Sequence, residues 1–274
     1  MRRKAGGAIA AAFRCACMAE LAAPKPGNVH RFRAGHGMVV GDFERSADAA
    51  APALTRPGVP LGIRIFDAVA ATRAAVGQNT NLGIVLLAAP LAMAAEQGGD
   101  LRAAVARVLR DADLADTAAV FRAIVLAAPG GLGTVPRHDV REQARVPLSE
   151  AMAQAAPHDV IARQWITDFA DIFTLGVPTL AAARGRAWPA LAAYLAFLAA
   201  FPDSHIQRKH GEAVAEAVRR EAALWPVRLA AAPDPRALLP ALLAWDATLK
   251  AADLNPGTSA DLTVASLFAE RLLR

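Results

Sequence analysis

The chain has 274 residues, of which 55% are hydrophobic, only 5% are aromatic and 69 are alanine. Alanine has the highest intrinsic helix propensity, so this composition favours helices. The net charge is +5, but 26 of the 30 basic residues are arginines scattered along the chain. Nucleic-acid binding requires a clustered basic face with aromatic stacking partners, so the composition argues against that class.

A mean hydropathy of +0.28 raises the question of a membrane protein. The uncharged run from Ala187 to Pro202 has 16 residues and contains Pro189, which is short for a transmembrane helix. Arg14 interrupts the first apolar stretch, so no signal peptide is predicted. We therefore expect a soluble, cytoplasmic, enzyme-sized protein that binds neither membranes nor nucleic acid.

Apolar residues recur at helical spacing along almost the whole sequence. This periodicity predicts helices over residues 4–22, 43–54, 60–76, 81–97, 100–111, 114–127, 148–156, 159–174, 187–201, 204–224, 235–250 and 260–273. Few segments alternate apolar and polar residues with a period of two, so little or no sheet is expected. No break has the length or polarity of an interdomain linker. The sequence thus predicts one compact all-α multi-helix domain over residues 1–274, with functional interhelical loops.

The first loop of interest reads PKPGNVHR, residues 24–31. The prolines on either side of Lys25 hold the backbone extended, because a residue before proline avoids the helical region. Gly27 then permits a sharp turn. Two interpretations are open. Lys25 is either held on a stiff backbone in a position to bind a phosphate, or it is a solvated lysine in an ordinary loop.

Two polar segments precede predicted helices. Asp42 stands just before one of them and is expected to cap it, or alternatively to face the same site as Lys25. Residues 77–83, GQNTNLG, place Asn79, Thr80 and Asn81 before an apolar helix in which Pro90 is expected to introduce a kink. A helix start with free N–H groups is a ready anion site, and a capping cluster for a buried helix is the alternative.

Two further breaks follow along the chain. Residues 129–134, PGGLGT, match neither the P-loop nor the dinucleotide fingerprint, so we predict a flexible loop there. Residues 202–211, PDSHIQRKHG, place Asp203 as an expected N-cap, followed by Arg208 and Lys209. These cations suit a phosphate, and a capped helix with a solvated basic face is the alternative.

The last polar segment reads NPGTSADL, residues 255–262. Its proline and glycine force a turn, and Ser259 is expected to cap the final helix. Asp261 is expected in the first turn, where the helix dipole favours an acidic residue. A carboxylate fixed in this way also suits a magnesium ion.

Taken together, PKPGNVHR, NTNLG, PDSHIQRKHG and NPGTSADL resemble the triphosphoribosyl-dephospho-CoA synthase family over residues 20–268. The resemblance implies an all-α enzyme that joins the triphosphoribosyl part of ATP to the 2′-hydroxyl of 3′-dephospho-CoA and releases adenine. The product is the precursor of the prosthetic group of citrate lyase and malonate decarboxylase carrier subunits. ATP is then a substrate, Mg²⁺ an expected cofactor, and dephospho-CoA or a related acceptor the second partner, while a homo-oligomer stays open.

The reaction that the resemblance implies is a glycosyl transfer, for which positioning and electrostatics supply most of the catalysis. Substrate or phosphate contacts are expected from Lys25, Arg31, Asn79, Thr80, Asn81, Arg208, Lys209 and Ser259. Catalytic roles are expected for Lys25, Asp203 and Asp261, and magnesium ligands from Asp42, Asp203 and Asp261. Which carboxylate is the general base stays open.

Two motifs differ from the citrate-lyase-type members of the family. Residues 81–83 read NLG where those members have HKG, and residues 208–211 read RKHG where they have HRGG. The sequence therefore predicts a divergent branch. One alternative function is ATP-dependent ribosyl transfer to a different acceptor in the biosynthesis of a coenzyme, such as a one-carbon carrier. The other is a helical nucleotide-binding protein without turnover.

Overall fold

The structure, a computed structural model, describes residues 4–130 and 139–274. Helices joined by loops make up this part of the chain. The first helices are α1 (Gly6–Leu21), α2 (Val40–Leu54), α3 (Leu61–Val76), α4 (Leu82–Gln97), α5 (Leu101–Asp111), α6 (Leu114–Ala127) and α7 (Leu148–Ala155). Next come α8 (Val160–Ile166), a π-helical turn (Ile172–Gly176), α9 (Val177–Ala182), α10 (Pro189–Ala200), α11 (Ser204–His210) and α12 (Glu212–Ala222). The chain ends with α13 (Trp225–Ala231), a 3₁₀ turn (Pro235–Leu238), α14 (Leu239–Ala251) and α15 (Gly257–Leu273).

These described residues contain no β-strand, only isolated bridges in the loop between α1 and α2. The predicted all-α class is therefore confirmed. Of the glycine-rich loop predicted at 129–134, residues 131–134 lie outside the described residues.

The final helix α15 lies at the centre of the core. It packs against α1, α4, α10 and the π-helical turn, and its residues Val264, Ala265, Phe268 and Ala269 are almost completely buried. Phe268 meets Phe13 of α1 edge to face, with ring centroids 5.7 Å apart, a favourable aromatic geometry. A helix enclosed in this way is held firmly, so the polar residues at its start have a fixed position.

The α3 and α6 helices approach closely because Gly62 lacks a side chain. A Cβ atom at Gly62 would lie 2.5 Å from the carbonyl oxygen of Asp116. The backbone N–H of Gly62 instead donates to Oδ1 of Asp116, at 2.7 Å. Asp116 also forms a reciprocal capping box with Asp113 at the start of α6, so one carboxylate links two helices.

Several predicted helix boundaries are wrong, and the backbone explains why. The helix predicted over 159–174 ends at Ile166, because Asp168 and Phe169 adopt positive φ angles of 52° and 57°. The predicted break at 176–178 is instead helical. The helix predicted over 204–224 is divided at Gly211, where φ is 89°, and α13 was not predicted.

The remaining boundary differences concern helix starts. The helix expected from residue 43 begins at Val40, so Asp42 lies inside its first turn rather than before it. The final helix begins at Gly257 rather than at residue 260. The fourth helix continues through Pro90, which is buried within it.

Among the described residues, no single helix is both long and apolar enough to cross a membrane. The pair formed by α4 and α5 meets the criteria of length and composition together, but it is bent by 115° at its break.

The Gly62 contact leads to a prediction about stability. We expect Gly62→Ala to lower the free energy of unfolding by about 1–3 kcal/mol, because its methyl group would overlap the backbone of α6. Gly7→Ala is the matched control, since a Cβ there meets no atom within 4 Å and alanine favours helix. Chemical denaturation of both variants measures the difference, and an equal stability of the two would contradict the packing argument.

Candidate active site

Lys25 is fully buried in the loop after α1. Its ammonium pairs with the buried carboxylate of Glu20, in α1, and donates to Oδ1 of Asn28 at 2.9 Å. Burial lowers the pKa of Lys25, and the charge of Glu20 opposes that shift. The alternative of a solvated lysine is therefore wrong, because the side chain points inward and already has a counter-charge.

The Lys25 loop docks on the loop before α15. The amide of Asn28 donates to Oδ1 of Asn255 at 2.8 Å. Gly27 has a φ of 83°, and a Cβ there would lie 2.7 Å from Cδ of Pro256 and 2.9 Å from the carbonyl oxygen of Leu254. Glycine suits both this conformation and this close approach. The motifs PKPGN and NPG are thus neighbours in the fold.

Asp203 joins the starts of α11 and α15. Its Oδ1 accepts from the backbone N–H groups of His205 and Ile206, at 3.0 and 3.3 Å. Its Oδ2 accepts from both the N–H and the hydroxyl of Ser259, each at 2.8 Å. Burial raises the pKa of this carboxyl, while the four hydrogen bonds act against the rise. The predicted N-cap role of Asp203 is confirmed for α11.

Ser259 does not cap the final helix, contrary to the sequence-based prediction. It is the third residue of α15, and its hydroxyl donates across to Asp203. Asp261 accordingly lies in the second turn of α15, beyond the first turn where the helix dipole would explain it.

Asp261 lies half-buried against the start of α4. A Cβ at Gly83 would be 2.1 Å from its Oδ2, so the absence of a side chain there makes room for the carboxyl. No residue in the described part of the chain donates a hydrogen bond to Asp261. Burial, followed by the charges of Asp203, Glu20 and Asp159, raises its pKa well above the ordinary value. Asp261 therefore differs from Asp203 in having no structural hydrogen bond.

The polar residues before α4 form internal contacts. Oδ1 of Asn79 accepts from the N–H of Leu82, the first residue of α4, at 3.1 Å. The hydroxyls of Thr80 and Ser46 are 2.5 Å apart, and the Asn81 amide donates to the hydroxyl of Thr72 at 3.0 Å. The Asn79 bond pairs one N–H at the start of α4, as the capping alternative expects, whereas Thr80 and Asn81 bond to side chains of α2 and α3.

Asp42 has a similar structural role at the start of α2. Its carboxylate accepts from the N–H of Val39 at 2.9 Å and from the guanidinium of Arg45 at 2.7 Å. The amide of Gln78 approaches the same carboxylate at 3.4 Å. Asp42 is thus linked to Gln78, the residue before Asn79, but no hydrogen bond or ion pair joins it to Asp203 or Asp261.

The predicted phosphate-binding cations lie at different places. Arg208 donates to the carbonyl of Gly130 at 3.1 Å and lies 3.5 Å from Asp159, and its charge acts on Asp261. Lys209 is 3.1 Å from the exposed Asp253. Arg31 is exposed, and no described residue is bonded to its side chain.

Two buried carboxylates near this site were not identified from the sequence. One is Glu20, which is five residues before Lys25 on the buried side of α1. The other is Asp246, which accepts from the N–H of Gly27 at 2.9 Å and lies 2.8 Å from Nζ of Lys250. The spacing of four residues between Asp246 and Lys250 is a signal that could have indicated this second group.

Two cavities lined by described residues do not single out one binding pocket. A small cavity of about 10 Å³ borders Glu20, Asn81 and Cys17. A larger one of about 560 Å³ lies among α3, α6 and residues 140–144, and none of the motif residues lines it. Its lining is mainly apolar, so the polar cluster around the start of α15 is the better candidate for ionic substrates.

The Asp203 contacts generate a prediction about stability. We expect Asp203→Asn to lower the free energy of unfolding by about 1–3 kcal/mol, because an amide nitrogen cannot accept a hydrogen bond and leaves buried donors unpaired. Asp100→Asn is the control, since Asp100 is an exposed N-cap with one backbone contact and asparagine caps equally well. Urea denaturation tests this difference, and equal losses for both variants would refute it.

Comparisons with known proteins agree with the motifs. The family model CitG, described as ATP:dephospho-CoA triphosphoribosyl transferase, matches residues 7–274. A crystal structure from Archaeoglobus fulgidus, provisionally described as a triphosphoribosyl-dephospho-CoA synthase, has a TM-score of 0.65 and 26% sequence identity, and the match covers 84% of this chain and 96% of that one. No curated protein matches significantly. Since the family model spans nearly the whole chain, this protein belongs to the CitG family of transferases.

Proposed function

We propose that the protein transfers the triphosphoribosyl part of ATP to the 2′-hydroxyl of 3′-dephospho-CoA. The hydroxyl oxygen forms a bond to C1′ of the ATP ribose, the bond from C1′ to adenine N9 breaks, and adenine leaves with a proton. The proton lost by the hydroxyl balances the proton that adenine gains. The triphosphate stays on the transferred ribose.

The observation that carries this proposal is the convergence of four separate motifs at the start of α15. Asn28 and Gly27 contact the loop before this helix, Asp203 binds Ser259, and Gly83 faces Asp261. A transfer between two large substrates requires such fixed groups, because positioning supplies much of the rate. The family description names these two substrates.

Among the predicted catalytic carboxylates, Asp261 is the one we propose to accept the proton of the acceptor hydroxyl. Its oxygens have no donor among the described residues, and in its ionised form the raised pKa makes it a stronger base than an ordinary carboxylate. Both oxygens of Asp203 are already used to hold α11 against α15, so Asp203 acts as a positioning residue. The buried charge of Lys25 favours the ionised form of Asp261.

We propose that the substrate phosphates bind near Arg208 and Lys209, with the shorter polar residues Asn79, Thr80, Asn81 and Ser259 shaping the site and Arg31 contributing from the rim. A triphosphate carries several negative charges, and arginine and lysine are its usual partners. The two cations lie on α11, which Asp203 fixes against α15.

Magnesium has a poor fit to the protein ligands predicted for it. In the described residues, no three His, Cys, Asp or Glu side chains are placed to hold a metal ion. The oxygens of Asp203 and Asp42 accept hydrogen bonds from the protein itself. We therefore propose that any Mg²⁺ arrives as part of the ATP substrate, bound to its phosphates, and assign it no protein ligand.

The direct test is the release of adenine. We expect the purified protein, incubated with MgATP, to release free adenine when 3′-dephospho-CoA is present, because the two substrates react together. Chromatography measures adenine and the coupled product. Adenine release without consumption of dephospho-CoA would contradict this acceptor, and the absence of ATP breakdown with any acceptor would contradict the transferase assignment.

The open carboxyl of Asp261 leads to a second prediction. Asp261→Asn should reduce adenine release by at least about 100-fold, the range expected for a lost general base.

The same change should raise the midpoint of thermal unfolding by a few degrees at pH 8. Asparagine has no charge to bury. Folding raises the pKa of Asp261, so the aspartate makes the folded protein less stable at a pH above the ordinary carboxyl pKa.

This gain in stability should depend on pH in a defined direction. In the window above the ordinary carboxyl pKa, the folded protein retains a proton that the unfolded chain has released, so the native protein loses stability as the pH rises. The advantage of Asp261→Asn should therefore shrink as the pH falls toward 4. Asp48→Asn, at an exposed position of α2, should change neither property, and a destabilised Asp261→Asn protein would instead indicate a structural role.

A further inference from the structure

A group of basic side chains surrounds an exposed carboxylate beside the loop before α15. Asp253 accepts at Oδ1 from Nδ1 of His36, at 3.0 Å, and its Oδ2 lies 3.1 Å from Nζ of Lys209. The ring of His210 donates to the carbonyl oxygen of Asp253 at 3.1 Å. The Asp253 side chain is 60% exposed, whereas His36 is only 9% exposed. His36 thus approaches from the interior, whereas Lys209 and the carboxylate lie on the solvent side.

His36 lies between two hydrogen-bond acceptors. Its Nδ1 faces the carboxylate of Asp253, and its Nε2 lies 2.8 Å from the carbonyl oxygen of Gly27. Both partners are acceptors, so both ring nitrogens must carry a hydrogen for both contacts to form. His36 and Lys209 therefore each direct a ring or ammonium nitrogen at one oxygen of the same carboxylate.

The neighbouring ring of His205 also senses the basic side chains of this region. The ring of His205 packs near Gly257, the first residue of α15, and has no bonded partner among the described residues. Burial, followed by the charges of Arg208, Lys209 and His36, lowers the pKa of His205 to about 4. A pKa of about 4 leaves the His205 ring uncharged at neutral pH, so Arg208 and Lys209 are the cations here that would attract an anion.

We propose that His36 and Lys209 form a phosphate subsite that Asp253 fills in the free protein and that a substrate phosphate takes over on binding. One oxygen of Asp253 faces each donor, as two oxygens of a phosphate would, and a phosphate has further oxygens for Arg208 or His205. The inference rests on the proposed function, because the phosphates in question are those of the triphosphate or of dephospho-CoA.

The position of the subsite fits the candidate active site. The carbonyl that His36 holds belongs to Gly27, two residues from Lys25. Lys209 follows Arg208, whose charge acts on Asp261. Phosphates bound here would lie on one side of the loop at residues 253–257, and the open carboxyl of Asp261 follows that loop in α15. The subsite therefore belongs to the same site, and Asp253 competes with the substrate phosphate for the donors of His36 and Lys209.

The test is the binding of inorganic tripolyphosphate, without divalent cations, measured by isothermal titration calorimetry on the full-length protein. We expect Asp253→Asn to bind it about three- to tenfold more tightly, because a competing charge is removed, and Lys209→Met to bind it more weakly by a similar factor. Asparagine tolerates the positive φ of 56° at Asp253. Asp234→Asn, an exposed carboxylate paired with Arg236, is the control and should bind as the unaltered protein does.

The outcomes separate this proposal from the proposed function. Unchanged or weaker binding by Asp253→Asn, unchanged binding by Lys209→Met, or no binding by the unaltered protein would overturn the subsite. If adenine release occurs without the expected order of affinities, the subsite is wrong and the proposed function stands. If the expected order of affinities appears without adenine release, the subsite is supported and the acceptor or the reaction is wrong.

Discussion

The whole candidate site depends on one buried carboxylate, Asp203, placed between two helix starts. Removing a carboxylate from water is costly, and only well-directed donors offset that cost. Three backbone N–H groups and one hydroxyl supply them, from α11 and from the beginning of α15. These four hydrogen bonds fix the direction of α11 relative to α15, and therefore the position of Arg208 and Lys209 on α11.

Asp203 and Asp261 are residues of the same type with different roles, one structural and the other proposed to be chemical. Both lie where burial raises the carboxyl pKa. Asp203 has a donor for each of its hydrogen-bonding directions, whereas Asp261 has none among the described residues. A group that is costly to bury and has no structural partner is typical of a site selected for activity rather than stability.

Local sequence patterns predicted much of the fold. Features that depend on contacts between residues distant in the sequence were not predicted. The helix over 114–127 was predicted with its observed bounds from the spacing of its apolar residues. The break after Ile166 was missed because non-glycine residues adopt positive φ there. Spacing indicated the importance of Lys25, but its burial follows from tertiary packing around Glu20. The contact between Asn28 and Asn255 spans 227 residues, a distance that no local pattern encodes.

That separation has a consequence for how the protein acquires its site during folding. Gly27 and Asn28 meet their partners only after nearly the entire intervening chain has been brought together, and closing so long a loop is entropically unfavourable until other contacts support it. The Lys25 loop should therefore gain its native geometry late, after α15 has docked in the core. Nascent or truncated chains that lack α15 would carry the lysine motif without its ordered surroundings, so the site is built by completion of the fold rather than by any one segment.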